Sequence, residues 1–158
     1  MALKTRNLQE SLLDRLIDLE PDNKVESVQS RYTDFSKIKN SVGRDLEKLL
    51  NTRRYIFTPV ESYSQTLKSL FIYGLPDFTT LNPNIMSAQS LLRVEIQKAI
   101  MLFEPRLKKV NISIDTSSGT NGKLKFRISG FLQLDDVAEP VTFNTDFDRN
   151  RGKYSILR

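Results

Sequence analysis

No cysteine and no histidine occur anywhere in the 158 residues, and there is no tryptophan. Without histidine the chain lacks the usual neutral-pH general base and the commonest metal ligand. Without cysteine it has no thiol nucleophile, no disulfide and no thiolate metal site. Zero cysteines fit an intracellular, cytoplasmic setting. No run approaches the ~20 apolar residues of a membrane span. The opening "MALKTRNLQESLLDRL" holds no apolar stretch long enough for a signal peptide. What remains is a chain 39% hydrophobic, with a net charge of +5. Its length suits one domain, expected over residues 1–158. The positive excess is spread thinly, +2 in residues 1–60 and +3 in 61–158. A nucleic-acid partner would more often face a basic stripe, so none is expected.

Hydrophobic spacing divides the chain into helices followed by strands. Leu8, Leu12, Leu16 and Leu19 step by four and three, which predicts a first helix ended by Pro21. Residues 21–33 are polar and turn-rich, so 1–37 is expected to be a helix plus a flexible link. Ile38, Val42, Leu46, Leu49 and Leu50 predict a second helix, stopping at Asn51. Gly43 within it marks either the close approach of another backbone or a tolerated defect. A short helix is expected over Ser64–Tyr73, with Leu67, Leu70 and Phe71 facing the core and Gly74 just past its end. "SAQSLLRVEIQKAIMLFEP" predicts the longest helix, capped by Ser87 and ending near Phe103 or Glu104, because the residue before a proline is pushed out of the α region. Glu95 and Lys98 fall on its wet side.

The period then changes to two. "KVNISID", "KLKFRIS", "PVTFNTDF" and "KYSIL" alternate Val110/Ile112/Ile114, Leu124/Phe126/Ile128, Val141/Phe143/Phe147 and Tyr154/Ile156 (or Ser155/Leu157). "TSSGTNG" and "DRNRG" are the expected turns. Helices first and strands after predict an α+β fold, with N-terminal helices packed on a C-terminal antiparallel sheet of about four strands. A short final strand at a sheet edge is a template for another chain's strand.

Catalytic patterns are sparse. A histidine-based triad is excluded, and "SSGTNGK" lacks P-loop spacing. A carboxylate pair drawn from Glu104, Asp115, Asp135, Asp136 and Glu139 could in principle hydrolyse a glycoside, the alternative being a lysozyme-like peptidoglycan glycosidase, though no spacing singles out a pair. "FEPRL" puts Glu104 and Arg106 either side of Pro105 at the helix-to-strand corner. They are either two solvated charges beside a helix stop or a rigid pair offered to a partner.

Four stretches, "SLLDRL" (Ser11–Leu16), "SVGRDLEKLLNTRR" (Ser41–Arg54), "YGLPDF" (Tyr73–Phe78) and "FEPRL" (Phe103–Leu107), occur in an order and spacing that resemble the E subunit (TssE) family of the bacterial type VI secretion baseplate. The chain is also similar to the lysozyme-like wedge proteins of contractile phage baseplates. "LLNTRR" and "YGLPD" favour the secretion branch. The resemblance implies a structural protein, not an enzyme, with no cofactor and no metal. It implies a wedge position beside the F, G and K subunits, near the hub or tube, linking the baseplate to the first ring of the contractile sheath. It implies a fold similar to the strand-exchange region of sheath proteins, and no direct membrane insertion, in a baseplate docked at the inner face of the cytoplasmic membrane. Carried over residue by residue, the family's wedge-core contact falls on Glu104, Pro105 and Arg106. Sheath docking by strand addition is expected on the strands carrying Val141, Phe143, Phe147, Tyr154 and Ile156. As surface contacts, Glu104 and Arg106 are expected to be replaceable without loss of the fold.

Overall fold

The computed structural model describes residues 11–17, 21, 35–54, 65–66, 69–80, 85–115, 123–134 and 137–157. By internal contacts the chain divides into residues 1–42 and 43–158, and each is described by itself.

In the first unit, α1 (Leu12–Leu16) is one short helix. Ser11 caps it, its hydroxyl oxygen accepting from the Asp14 N–H at 3.3 Å. The Ser11 hydroxyl donates to the Asp14 carboxylate at 2.6 Å, and the Ser41 hydroxyl donates to the same carboxylate. The helix is shorter than the spacing predicts, and Leu12 and Leu16 are exposed. Periodicity names an apolar face but not what covers it. The expected link lies almost wholly outside the described residues.

Helix α2 (Phe35–Asn51) runs from the first unit into the second and ends at the expected Asn51. Its Ile38, Val42, Leu46, Leu49 and Leu50 are all buried, as the spacing requires. A Cβ on Gly43 would stand 3.4 Å from the Phe143 ring, so this glycine fits a side chain rather than another backbone. Helix α3 (Met86–Phe103) buries Leu92, Ile96, Ala99 and Ile100. Its N-cap is Ile85, which makes no side-chain cap bond, so the predicted cap Ser87 lies inside the first turn. Glu95 is not on the wet side. It is largely covered, bonded by Arg54 at 3.0 Å and Lys98 at 3.2 Å. In place of the predicted helix at 64–73, the described residues hold a single 3-10 turn, Leu70–Ile72, closed by the Ser69 hydroxyl. Leu70 and Phe71 are exposed rather than in the core; Gly74 breaks the chain too early for a longer apolar stripe to form. Leu67 lies outside the described residues.

Four strands follow, β1 (Leu107–Asp115), β2 (Lys123–Leu134), β3 (Val137–Asp148) and β4 (Lys153–Leu157). They form one antiparallel sheet in sequence order, giving the α+β architecture. Alternation decides the faces: Val110, Ile112, Leu124, Phe126, Ile128, Val141, Phe143, Phe147, Tyr154 and Ile156 are buried. Tyr154 and Ile156, not Ser155 and Leu157, take the inner face of β4. Strand β2 runs five residues past the predicted "KLKFRIS", through Gly130, where the apolar alternation weakens. The turn before β4 is tied by the Asp148 carboxylate, which accepts from the N–H groups of Asn150 and Arg151 at 2.9 and 3.2 Å. Each edge strand receives one amide from a helix. Gln97 of α3 donates to the Val110 carbonyl at 2.8 Å, and Asn51 of α2 bonds both main-chain groups of Tyr154.

Candidate functional site: the helix-to-strand corner

The site begins with a proline. Helix α3 must stop before Pro105, and the Glu104 N–H makes the last helical bond, to Ile100 at 2.8 Å. Three residues later the chain is already in β1, with the Leu107 N–H bonded to the Glu104 carbonyl at 3.1 Å. This tight reversal brings the Glu104 and Arg106 side chains to the same side. Arg106 Nε donates to Glu104 Oε1 at 2.6 Å and its Nη2 donates to Oε2 at 2.6 Å, a two-point fork. The Arg106 Nη2 also donates to Asp45 of α2 at 2.7 Å.

Burial sets the strength of this network. Glu104 is 4% exposed, one of two buried polar or charged residues among those described. A carboxylate so placed costs several kcal/mol in lost hydration unless it is paired and hydrogen-bonded. Glu104 is bonded at both oxygens. The Glu104 and Asp45 carboxylates hold the Arg106 guanidinium well above the usual arginine range, against the opposing effect of burial. Glu104 and Arg106 are therefore not two solvated charges. Nor are they dispensable to the fold, as surface contacts would be. The proline between them is what lets them reach each other, and only Pro105 is exposed at this corner.

Other sequence motifs converge here. Asp45 comes from "SVGRDLEKLLNTRR". Tyr73 of "YGLPDF" packs edge-on against Phe103 of "FEPRL", with ring centroids 5.0 Å apart. Burial raises the Tyr73 phenol pKa, and the Asp45 and Glu104 carboxylates raise it further. Beside it, Arg53 and Leu75 form a parallel bridge in which the Arg54 N–H reaches the Leu75 carbonyl at 2.8 Å and the Leu75 N–H reaches the Thr52 carbonyl at 2.9 Å. Gly74 allows this approach. Its φ is +104°, and a Cβ there would fall 2.3 Å from the Thr52 carbonyl oxygen. Arg53 pairs with Asp77 at 3.0 Å. "LLNTRR" and "YGLPDF" are thus laced together by main chain and charge, next to the corner.

Residues 36–137 match the model of the family described as "Baseplate wedge protein gp25". This chain belongs to that family. The match spans α2, α3, β1 and β2, and so includes Asp45, Tyr73, Glu104 and Arg106. The chain is similar to the anti-adapter protein IraD of Escherichia coli O157:H7, including strain EC4115, with 26% identity over 122 residues covering 77% of this chain and 83% of that protein. It is also similar to a chain of the solved structure titled "The baseplate complex from the type VI secretion system", with a TM-score of 0.47, 17% identity, and 78% of this chain and 96% of that one covered.

The remaining sequence candidates fall elsewhere. Val141, Phe143, Phe147, Tyr154 and Ile156 all turn their side chains into the core. Only β4 among their strands lies at an edge of the sheet; β3 is paired along its full length to β2 and over Asn144–Asp148 to β4. Asp135 and Asp136 lie outside the described residues. Sequence reasoning missed Asp45 and Asn51 as partners of the corner and of β4. Both stand on exposed or half-buried turns of α2, where nothing in the helical period distinguishes them from solvated side chains.

Proposed function

We propose that this chain is the E-type wedge subunit of a type VI secretion baseplate, a non-enzymatic part that ties the wedge to the first ring of the contractile sheath and helps start sheath assembly. The observation that carries the reading is the convergence of the family's motifs on one buried ion-pair network beneath an exposed proline. Glu104 and Asp45 act as positioning residues, Arg106 is fixed by them, and Pro105 is presented to the wedge core bundle formed with the F, G and K subunits. The surface beside the corner suits such a contact. Leu91, Val94, Met101 and Leu102 lie along the outward side of α3 and are all exposed, an apolar stripe leading to Pro105. No helix among the described residues is long and apolar enough to cross a membrane. That fits a subunit assembled in the cytoplasm, at the inner face of the membrane. The sheath would be met through an edge of the sheet by strand addition.

Family membership does not transfer a role by itself. The test is assembly. Met101→Glu and Leu102→Glu change exposed side chains and should leave the unfolding temperature of the chain unchanged while abolishing co-purification with the other wedge subunits. Undiminished co-purification removes the wedge contact from this face. The glycosidase alternative has Glu104 held at both oxygens by Arg106, an arrangement for structure rather than proton transfer. Clear peptidoglycan hydrolysis in a zymogram, lost on changing a single acid, would replace the proposal.

A further inference from the structure

Strand β4 is an outer strand of the sheet, and its outward main-chain groups are not all open. In an antiparallel edge strand, alternate residues turn their N–H and C=O towards the neighbouring strand, and those between turn them outward. Tyr154 is an outward residue, because its N–H donates to Asn51 Oδ1 and its carbonyl accepts from Asn51 Nδ2, both at 2.9 Å. Ile156, two residues on, is therefore outward as well. The Asn51 amide offers Tyr154 the donor and acceptor that a neighbouring strand would offer. It is nonetheless an exposed side chain at the last position of α2, held in addition only by a 2.8 Å bond from Nδ2 to the Glu47 carbonyl.

A groove of about 520 Å³ lies beside this amide, lined by Arg44, Glu47, Lys48, Asn51, Arg151, Gly152 and Lys153. It sets four cationic side chains against one carboxylate, along the same edge whose hydrogen bonds Asn51 holds. Main-chain groups that fit a strand and side chains that fit negative charge occur together. We propose that the β4 edge and this groove form a docking site for an acidic extended segment of another protein chain, and that the segment displaces the Asn51 amide from Tyr154. The proposal rests on the adaptor reading above and names the chemistry of the strand it would receive. The exchange costs little: the two bonds Tyr154 makes to Asn51 are replaced by two to the incoming backbone, and Ile156 gains partners. Acidic side chains of the segment would face Lys48, Arg151 and Lys153. With no segment bound, Asn51 keeps the edge from pairing indiscriminately.

The test uses the full chain and a blocked, fluorescent peptide of alternating Glu and Val, about eight residues long, comparable to a natural strand. The peptide should bind, and the Lys48→Glu/Lys153→Glu protein should bind it at least about tenfold more weakly. N-methylation of its alternate main-chain amides should abolish binding. Asn51→Ala removes the competing amide and should tighten binding about tenfold, the worth of roughly one to two hydrogen bonds. Asn51→Asp keeps the acceptor for Tyr154 but adds a repelling charge, and should weaken binding; it covers the case in which the alanine variant folds poorly. Unchanged affinity in both Asn51 variants makes Asn51 a structural residue only and overturns the proposal. So does binding that survives N-methylation, or that inorganic phosphate displaces as readily as peptide does, since either leaves a plain anion groove. Self-association of Asn51→Ala that the peptide cannot reverse makes a second copy the occupant and also overturns it. The two readings separate cleanly. Peptide binding in a chain that joins no wedge or sheath leaves the docking site and removes the adaptor role. Normal assembly by the Lys48→Glu/Lys153→Glu protein, with peptide binding lost, does the reverse.

Discussion

Replacing Arg106 with methionine removes the cation from the corner and keeps most of its bulk. Two partners lose it unequally. Asp45 is 29% exposed at its side chain, so water takes over much of what the 2.7 Å bond supplied, and that half of the network is worth at most about 1 kcal/mol. The Glu104 side chain is 5% exposed and loses both of its 2.6 Å bonds from Arg106. Removing one partner of a buried pair costs about 3–5 kcal/mol, most of it the penalty on the stranded charge. With Arg106 itself 27% exposed, the lower end applies, about 3 kcal/mol. For a chain of this size that lowers the unfolding temperature by about 6–12 °C. Glu104→Leu alone strands less, because Arg106 keeps Asp45 and some water, and should cost about 1–2 kcal/mol. The double variant, Glu104→Leu with Arg106→Met, strands no buried charge at the corner. It should be more stable than the Arg106→Met single variant, with a coupling energy of about 2 kcal/mol. Urea unfolding of the four proteins at neutral pH measures this cycle. Additive effects, with coupling below about 0.5 kcal/mol, would show that Glu104 does not depend on Arg106, and the account of the corner would fall.

Two other perturbations probe the surroundings. The Tyr154 hydroxyl is buried and has no hydrogen-bond partner among the described residues, while its ring stacks on Phe147 at 4.4 Å. Tyr154→Phe should therefore hold or raise stability, by up to about 1 kcal/mol. Burial also raises the Tyr154 phenol pKa, as it does that of Tyr73. A raised folded-state pKa means stability is complete below the unfolded value near 10 and is lost as pH rises beyond it. Unfolding free energy should consequently fall less steeply above pH ~10 in Tyr154→Phe than in the parent, and equal slopes would contradict the burial argument. Gly74→Ala meets both a positive φ and a carbonyl 2.3 Å from the new Cβ, so it should cost at least about 2 kcal/mol by thermal unfolding.

Periodicity made most of the fold legible before any coordinates. The stripe Leu92–Ile96–Ile100 and the alternations on four strands each bury the residues they point to, because burial of apolar surface is the largest favourable term and imposes a repeat. Leu12, Leu16, Leu70 and Phe71 fit the same templates and are exposed, since a template says which residues share a face and not what lies opposite. Ser87 failed as a cap because chain direction, not residue type, placed the first helical turn one residue before it. The corner was legible as a place but not as an interaction. Glu104 and Arg106 are two residues apart, and whether such charges meet each other or solvent depends on the turn between them. Asp45 is 61 residues from Arg106, beyond the reach of any local pattern.

That distance bears on what the corner does. A recognition residue held only by its own backbone would lose side-chain freedom on binding, at a cost of about 0.5–1.5 kcal/mol for a long side chain. Arg106 is already fixed by Glu104 from its own turn and by Asp45 from α2. Its freedom is therefore lost on folding rather than on assembly, and the exposed Pro105 adds no rotamers of its own. The same bonds limit what Arg106 has left to offer a partner's carboxylate, because its Nε and Nη2 are engaged. A partner that meets this corner meets a rigid proline and the apolar stripe of α3, with the charges beneath holding both in place. It follows that a variant such as Met101→Glu should fail in assembly while keeping its stability, and that Arg106→Met should lose stability first. A conditional experiment separates the two roles: at a temperature well below its unfolding transition, Arg106→Met should still co-assemble measurably, whereas Met101→Glu should not at any temperature. If Arg106→Met fails to assemble even where it is fully folded, the guanidinium itself touches the partner, and the division of labour drawn from the geometry is wrong.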